Sequence, residues 1–265
     1  MSSILDKIVR YKKEELASLR RRVSLQEVRA RAADAEPASP FLARFKKGAI
    51  NIVAEIKKAS PSAGVIRENF NPVDLALRLS EGGAAALSIL TDSHFFQGSL
   101  GTLDSVKKRV DLPCLRKDFT LDEYHLYEAR GARADAVLLL AAVLDDHQLR
   151  DFAALTLELG MTPLVEIHSE GELERVADLK KCLFGVNNRN LADFSVDLAT
   201  SRNLIRKIPS GTPALSESGL SRHEELIGLA EAGFAGFLIG EVLMKAKDPG
   251  KKLGELMLGS LRALR

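Results

Sequence analysis

The chain has 265 residues, enough for one large α/β domain and awkward for two, with 46% apolar and 28% charged residues as in an ordinary soluble globular protein. Its formal net charge of +2 comes from basic residues spread along the whole length, which argues against a nucleic-acid footprint. No window is apolar for long enough to span a membrane, and residues 1–19 carry charges throughout, so the expectation is a cytoplasmic protein with neither membrane nor nucleic acid as partner.

Taken in order, Ile4, Leu5, Ile8, Val9, Leu16 and Leu19 recur at a helical period over residues 3–19, and Arg20-Arg21-Arg22 closes that stretch as a solvated last turn. A second helix is expected over 25–33. Glu36-Pro37-Ala38-Ser39-Pro40 then breaks the chain, and 41–46 reads as a last short helical piece. Roughly the first 48 residues therefore form a helical extension.

After it a simple alternation begins. Buried strands are expected over 52–57, 86–91, 113–119, 136–141, 163–168, 183–188, 213–218 and 236–240. Helices are expected between and after them, over 71–81, 101–109, 122–130, 145–159, 169–179, 195–208, 221–232 and 249–264. Asp122, Asp145, Ser169 and Ser221 read as N-caps, and Ser169 and Ser221 are each followed three residues later by Glu, the capping-box pattern. Eight such units predict a parallel sheet closed into a (β/α)₈ barrel, one domain over 1–265 with 1–48 packed on it. An open doubly wound sheet is the alternative, but no G-x-G-x-x-G follows the first strand.

The first strand carries the most informative stretch, I-V-A-E-I-K-K-A-S-P-S-A-G. Glu55 and Lys57 are two residues apart, so they project from one face near the strand's carboxyl end, and the chain leaves through Ser60-Pro61-Ser62 and Gly64 as a loop rather than a tight hairpin. A buried acid and base at that place are costly unless paired or used; an ordinary buried ion pair is the plain alternative. The same strand-end position holds Lys117 on the third strand, Glu166 on the fifth, Asn187 and Arg189 on the sixth, and Glu217 on the seventh. Parity aligns them: Leu115 with Lys117, Leu164 with Glu166, Gly185 with Asn187 and Leu215 with Glu217, while Cys114 falls on the opposite face, towards the helices. Leu138, Phe96, Phe119 and Leu191 can wall a flat aromatic substrate, or simply be core. Ser218-Gly219 and Gly240-Glu241 follow the last two strands, where such barrels usually hold a phosphate on backbone N–H groups, or where glycines merely turn the chain. The two cysteines form no CxxC pattern, no HExxH occurs and the five histidines are scattered, so neither a disulfide nor a metal site is expected.

These residues resemble one family, indole-3-glycerol-phosphate synthase, the ring-closing enzyme of tryptophan biosynthesis. The resemblance rests on A-E-I-K-K-A-S-P-S, G-G-A-A-A-L-S-I-L-T-D, L-R-K-D-F, L-V-E-I-H, G-V-N-N-R-N-L, S-E-S-G and L-I-G-E-V-L-M in this order, from Ile52 to about Met244, with a similar extension before them. It implies a carbon–carbon carboxy-lyase that uses no cofactor or metal. The substrate would be 1-(2-carboxyphenylamino)-1-deoxyribulose 5-phosphate, and the products indole-3-glycerol phosphate, carbon dioxide and water. By that likeness Lys117 is the general acid towards the ketone oxygen, and Glu166 an acid/base in dehydration. Lys57 holds the substrate carboxylate and is a second candidate donor. Glu55, Asn187 and Glu217 orient lysines and sugar hydroxyls, with Arg189 near them. Ser218, Gly219, Gly240 and Glu241 form the phosphate cradle, with Ser60 on the opposite rim.

Family members often have Ser or Thr where this chain has Glu241, so its backbone N–H is expected to bind and its side chain to turn outward. A second ammonium at Lys57 is expected to lower the pKa of Lys117, with Glu55 opposing. A monomer is expected, with weak association with other tryptophan-pathway enzymes as the protein contact to look for. Two rivals stand beside this reading: a Schiff-base aldolase with Lys117 as nucleophile, and a barrel that has lost catalysis and serves as an interaction subunit.

Overall fold

Eight parallel strands close on themselves in the computed structural model, which describes residues 4–191 and 193–258. They are β1 (Ile52–Ile56), β2 (Ala86–Leu90), β3 (Cys114–Lys117), β4 (Ala136–Leu140), β5 (Thr162–Ile167), β6 (Leu183–Asn187), β7 (Ala214–Glu217) and β8 (Gly236–Ile239). Each pairs with its neighbour in sequence, and β8 returns to β1 with Phe237 opposite Ile52. The (β/α)₈ alternation read from the sequence is the architecture observed, with strand ends moved by one or two residues.

Period-two burial sorts the strand residues into two cores. Val53, Leu115, Leu138, Leu164, Leu183 and Leu215 fill the barrel interior. Ile52, Ile56, Leu87, Ile89, Phe184 and Phe237 point outward and pack under the helices. Both cysteines are free and belong to this outer layer, as parity requires for Cys114.

The helices are α1 (Ile4–Arg22), α2 (Leu25–Ala33), α3 (Pro72–Glu81), α4 (Leu100–Lys107), α5 (Glu123–Gly131), α6 (Asp146–Glu158), α7 (Glu170–Val176), α8 (Ala199–Leu204), α9 (His223–Glu231), α10 (Glu241–Lys245) and α11 (Pro249–Leu258). Local chemistry starts most of them. Asp122 caps α5, and Asp145 closes a capping box with Gln148 at the head of α6.

Several expectations need correction. Ser221 is not an N-cap: Glu225 reaches back to accept the N–H groups of Ser221 and Arg222 at 2.9 and 3.0 Å, so Arg222 becomes the cap residue. Ser169 does cap α7, but the Glu172 carboxylate accepts from the His168 N–H at 2.8 Å instead of closing a box on Ser169. The segment after β1 is a hairpin, not an open loop. Ala59–Ser60 pairs antiparallel with Gly64–Val65, and Gly64 at φ 64° supplies the left-handed residue that a three-residue connection needs. The helix expected over 195–208 starts only at Ala199, because Val196 is taken up in an antiparallel bridge with Arg189. The α10 turn after β8 was not anticipated. Residue 3 of the first expected helix and residues 259–264 of the last lie outside the described residues.

The extension clasps the barrel at both ends. Phe41, in a 3₁₀ turn (Phe41–Arg44), is fully buried and joins the interior core, with Phe45 packed beside it. Phe45 also approaches Gly236 at the start of β8, which places this stopper at the amino ends of the strands. At the other end, Ile4, Leu5 and Ile8 of α1 overhang the barrel mouth. Because Phe41 plugs the floor, Phe41→Ala is expected to lower unfolding stability by about 3–5 kcal/mol, the usual cost of truncating a buried aromatic ring. Urea denaturation measures it, and a loss below about 1 kcal/mol would show that the floor does not need the ring.

Candidate active site

The charged side chains at the strand ends meet in one cavity of about 490 Å³ at the carboxyl face of the barrel. All the positions singled out in the sequence line it. From the barrel strands and the residue just after β1 come Glu55, Lys57, Lys117, Leu138, Glu166, Asn187 and Glu217; from the segments that follow the strands come Ser60, Phe96, Phe119, Arg189, Leu191, Ser218, Gly219, Gly240 and Glu241.

The centre is Lys117. Its Nζ donates to Glu166 Oε2 at 2.8 Å and to Glu217 Oε2 at 2.6 Å, so one ammonium is gripped from the fifth and seventh strands. Glu55 and Lys57 form a second pair at 2.5 Å, as their shared face requires. Asn187 does not orient a lysine; its Nδ2 donates to Glu166 Oε1 at 2.9 Å and fixes that carboxylate. Small residues make room for these groups. A Cβ on Gly185 would lie 2.1 Å from Glu217 Oε1, and one on Gly240 would lie 2.5 Å from Glu55 Oε1.

Electrostatics departs from expectation at Lys117. Burial by itself would lower its pKa, but Glu166, Glu217 and Glu55 outweigh burial and hold the ammonium well above the usual lysine range. The expected lowering by Lys57 is overridden because more negative than positive charge surrounds the group. Glu166 is driven the other way: burial favours its neutral form, yet Lys117, His168 and Asn187 keep it ionised well below the usual carboxylate range. Glu217 carries the surplus. Burial, reinforced by Glu166 and only partly offset by Lys117, pushes it up to about 7.

Around this polar floor stand Phe96 and Phe119, with ring centroids 6.4 Å apart, together with Leu138 and Leu191. The floor is charged and this wall apolar, a combination suited to an aromatic molecule carrying anionic groups. On the other side Ser218 and Gly219 both have positive φ, 66° and 79°, which bends the loop after β7 sharply. Gly240 leads into α10 with no side chain capping it. The Glu241 side chain is not turned wholly outward. It lines the cavity with its carboxylate held by Lys245 at 2.6 Å and 3.5 Å from Arg189, so two cations neutralise it at the rim.

Two features were not found from the sequence. His168 lies two residues after Glu166, on its face; its Nε2 is 3.3 Å from Glu166 Oε1 and its Nδ1 is 3.3 Å from Glu172 Oε2. Strand parity could have found it. Lys12 of α1 is 2% exposed, and its Nζ lies 3.0 Å from Asp118 and 3.7 Å from Asp92, which moors the overhanging helix beside β2 and β3. Nothing local to an amphipathic helix distinguishes that lysine from its solvated neighbours.

A closed parallel barrel with acids and bases gathered at the carboxyl ends of its strands has the architecture of a (β/α)₈-barrel enzyme. The sequence model of the family described as indole-3-glycerol phosphate synthase matches residues 5–256. The chain belongs to that family. A relative from Variovorax paradoxus, named indole-3-glycerol phosphate synthase, is 45% identical, covering 97% of this chain and 99% of the relative. Another of that name, from Desulfotalea psychrophila, is 48% identical with the same coverage. Among solved structures, a mutant tryptophan synthase alpha-subunit from Pyrococcus furiosus superposes with a TM-score of 0.60 at 15% identity, covering 80% of this chain and 98% of that one. An N-acetylmannosamine-6-phosphate 2-epimerase from Clostridium perfringens gives 0.58 at 14%, covering 72% and 86%. At such identities these two share the barrel alone.

One pH dependence follows. Burial opposes charge on His168, but Glu166 and Glu172 outweigh it and raise the ring to about 10. That contribution to stability is complete below the unfolded value of about 6.5 and is lost as pH rises through the folded value. The unfolding free energy of the wild type should therefore fall towards that of His168→Gln between neutral and alkaline pH. Urea titrations of both proteins check it, and parallel pH curves would contradict the charged ring.

Proposed function

We propose that Lys117, Glu166 and Lys57 carry out the ring closure that forms indole-3-glycerol phosphate from 1-(2-carboxyphenylamino)-1-deoxyribulose 5-phosphate. The single observation that supports this most is the Lys117 ammonium held between Glu166 and Glu217 on the floor of an apolar-walled cavity. Attack of the aromatic ring carbon on the ketone builds an alkoxide, and a fixed ammonium can neutralise it by giving up a proton. The carboxylate then leaves as carbon dioxide, and its bonding pair restores the ring. Dehydration follows, for which Glu166 is the acid/base.

Lys57 would hold the substrate carboxylate until it departs, with Glu55 keeping the ammonium in place. Glu217, close to half-protonated near neutrality, can offer a hydrogen bond to a sugar hydroxyl or accept one. Ser218, Gly219, Gly240 and Glu241, with Ser60 across the mouth, would hold the phosphate, chiefly through backbone N–H groups. Phe96, Phe119, Leu138 and Leu191 would flank the aromatic ring, and Arg189 would close the rim while holding Glu241. All these groups come from one chain, so the proposed chemistry is complete within a monomer, without contact with other enzymes of the pathway.

The aldolase alternative is disfavoured by electrostatics. A Schiff-base lysine must lose its proton readily, whereas Lys117 sits between carboxylates that hold the proton on. Lys117→Ala should lower kcat by about 10²–10⁴-fold while substrate binding largely survives. Indole fluorescence reads turnover, and a wild-type rate in that variant would remove the acid role. Since the steps need only proton transfer, added chelator should leave the rate unchanged. A marked loss would contradict the metal-free reading.

A further inference from the structure

The reaction consumes a proton. One proton goes to the ketone oxygen and a second to the departing hydroxide, which leaves as water, while only one returns from the methylene carbon beside the nitrogen. The carbon dioxide takes no proton with it. After each turnover the catalytic groups are therefore one proton short, and the deficit must be met from solvent.

We propose that His168 and Glu172 are the route by which this proton re-enters, passing through Glu166 to Lys117 from a second, polar cavity beside the main one. The proposal rests on the roles given above to Lys117 and Glu166. Its geometry is a continuous line. Lys117 Nζ is 2.8 Å from Glu166 Oε2; the other oxygen of that carboxylate, Oε1, is 3.3 Å from His168 Nε2; and His168 Nδ1 is 3.3 Å from Glu172 Oε2. Glu166 thus faces the acid with one oxygen and the imidazole with the other. Its position on the strand face, two residues before His168, makes this possible.

The outer end of the line opens elsewhere. His168, Ser169, Glu172, Asn188, Asp197 and Thr200 line an adjoining cavity of about 600 Å³, which meets the main one at Leu5, Asn187, Arg189 and Leu191. When substrate fills the main cavity beneath Ile4, Leu5 and Ile8, this polar side chamber still reaches Glu172 and the outer edge of the ring. At rest the Nε2–H lies near Glu166 Oε1 without hydrogen-bond alignment, while Asn187 holds that oxygen at 2.9 Å. Loss of the Lys117 proton changes this balance. With the ammonium gone, Glu166 loses its strongest stabilising charge and becomes a better proton acceptor. The ring then gives its Nε2 proton to Glu166 Oε1, the carboxyl group turns to hand that proton to Lys117, and the neutral ring, which still carries its Nδ1 proton, turns so that its vacated nitrogen is refilled by way of Glu172 and solvent. No other reactant is required. His168 acts through Glu166 and is a positioning and relay residue, not one that touches substrate.

The groups facing the ring are Glu166 from β5 and Glu172 from α7, while the segment after β6 brings Arg189 and Asp197 to the same chamber. The test is His168→Ala, assayed by indole fluorescence with and without added imidazole, which the side chamber can admit. The expected result is a kcat lowered about tenfold or more with KM changed less than about twofold, a larger solvent deuterium isotope effect on kcat, and saturable restoration by imidazole. A kcat within about twofold of wild type, or a loss that imidazole does not restore, overturns the relay. Should His168→Ala fail to fold, Glu172→Gln keeps the ring and a side-chain oxygen to accept from the His168 N–H. A raised isotope effect in that variant supports the route, and an unchanged one overturns it. Glu166→Gln and Lys117→Ala separate the two levels: if both keep the wild-type rate the catalytic roles fail, and if both are inactive while His168→Ala is normal only the relay fails.

Discussion

The site depends on one buried ammonium being held by carboxylates from two other strands. Lys117 sits on β3, Glu166 on β5 and Glu217 on β7, and in a tilted barrel the inward residues of alternate strands lie at one height. Between the charged strands stand Gly185 on β6 and Gly240 just beyond β8, and each leaves the space that a carboxylate fills. The charged layer and its glycine gaps form a single packing solution. Adding one methyl group to Gly185 would strike the Glu217 carboxylate, and adding one to Gly240 would strike that of Glu55, before it met any other side chain.

That arrangement settles the electrostatics. Two ammonium groups, Lys57 and Lys117, share the floor with Glu55, Glu166 and Glu217. The imbalance falls on Glu217, whose carboxyl is raised, while Lys117 holds its proton more firmly than a free lysine. Firm retention is compatible with an acid role because the acceptor is a developing alkoxide, a far stronger base than the carboxylates at rest. In the proposed reaction the proton would then leave only as the ring carbon attacks, which would tie the transfer to bond formation.

The barrel, its strand order and the inward residues were legible because a parallel strand covered on both faces is apolar and has a strict period of two. A charge within such a run can only belong to the interior or to the helix layer, and parity decides which. Places where one residue answers to a distant partner were not legible. Glu225 takes the capping role from Ser221 by reaching back, Val196 is drawn out of its expected helix by Arg189, and Gly64 turns an apparent loop into a hairpin. Lys12 is the extreme case: its neighbours in sequence describe a wet helix face, and its carboxylates follow strands that come much later.

The mooring of α1 bears on the order in which the molecule assembles. The helix is synthesised before β2 and β3, yet Asp92 and Asp118, which hold Lys12, follow those strands, and their carboxylates come together at Lys12 only where the two strands lie side by side. Closing so long a stretch of chain around a buried charge is entropically expensive and goes uncompensated until the sheet exists. The roof of the cavity is thus made before the groups that seat it, and its mooring is complete only once β2 and β3 are paired.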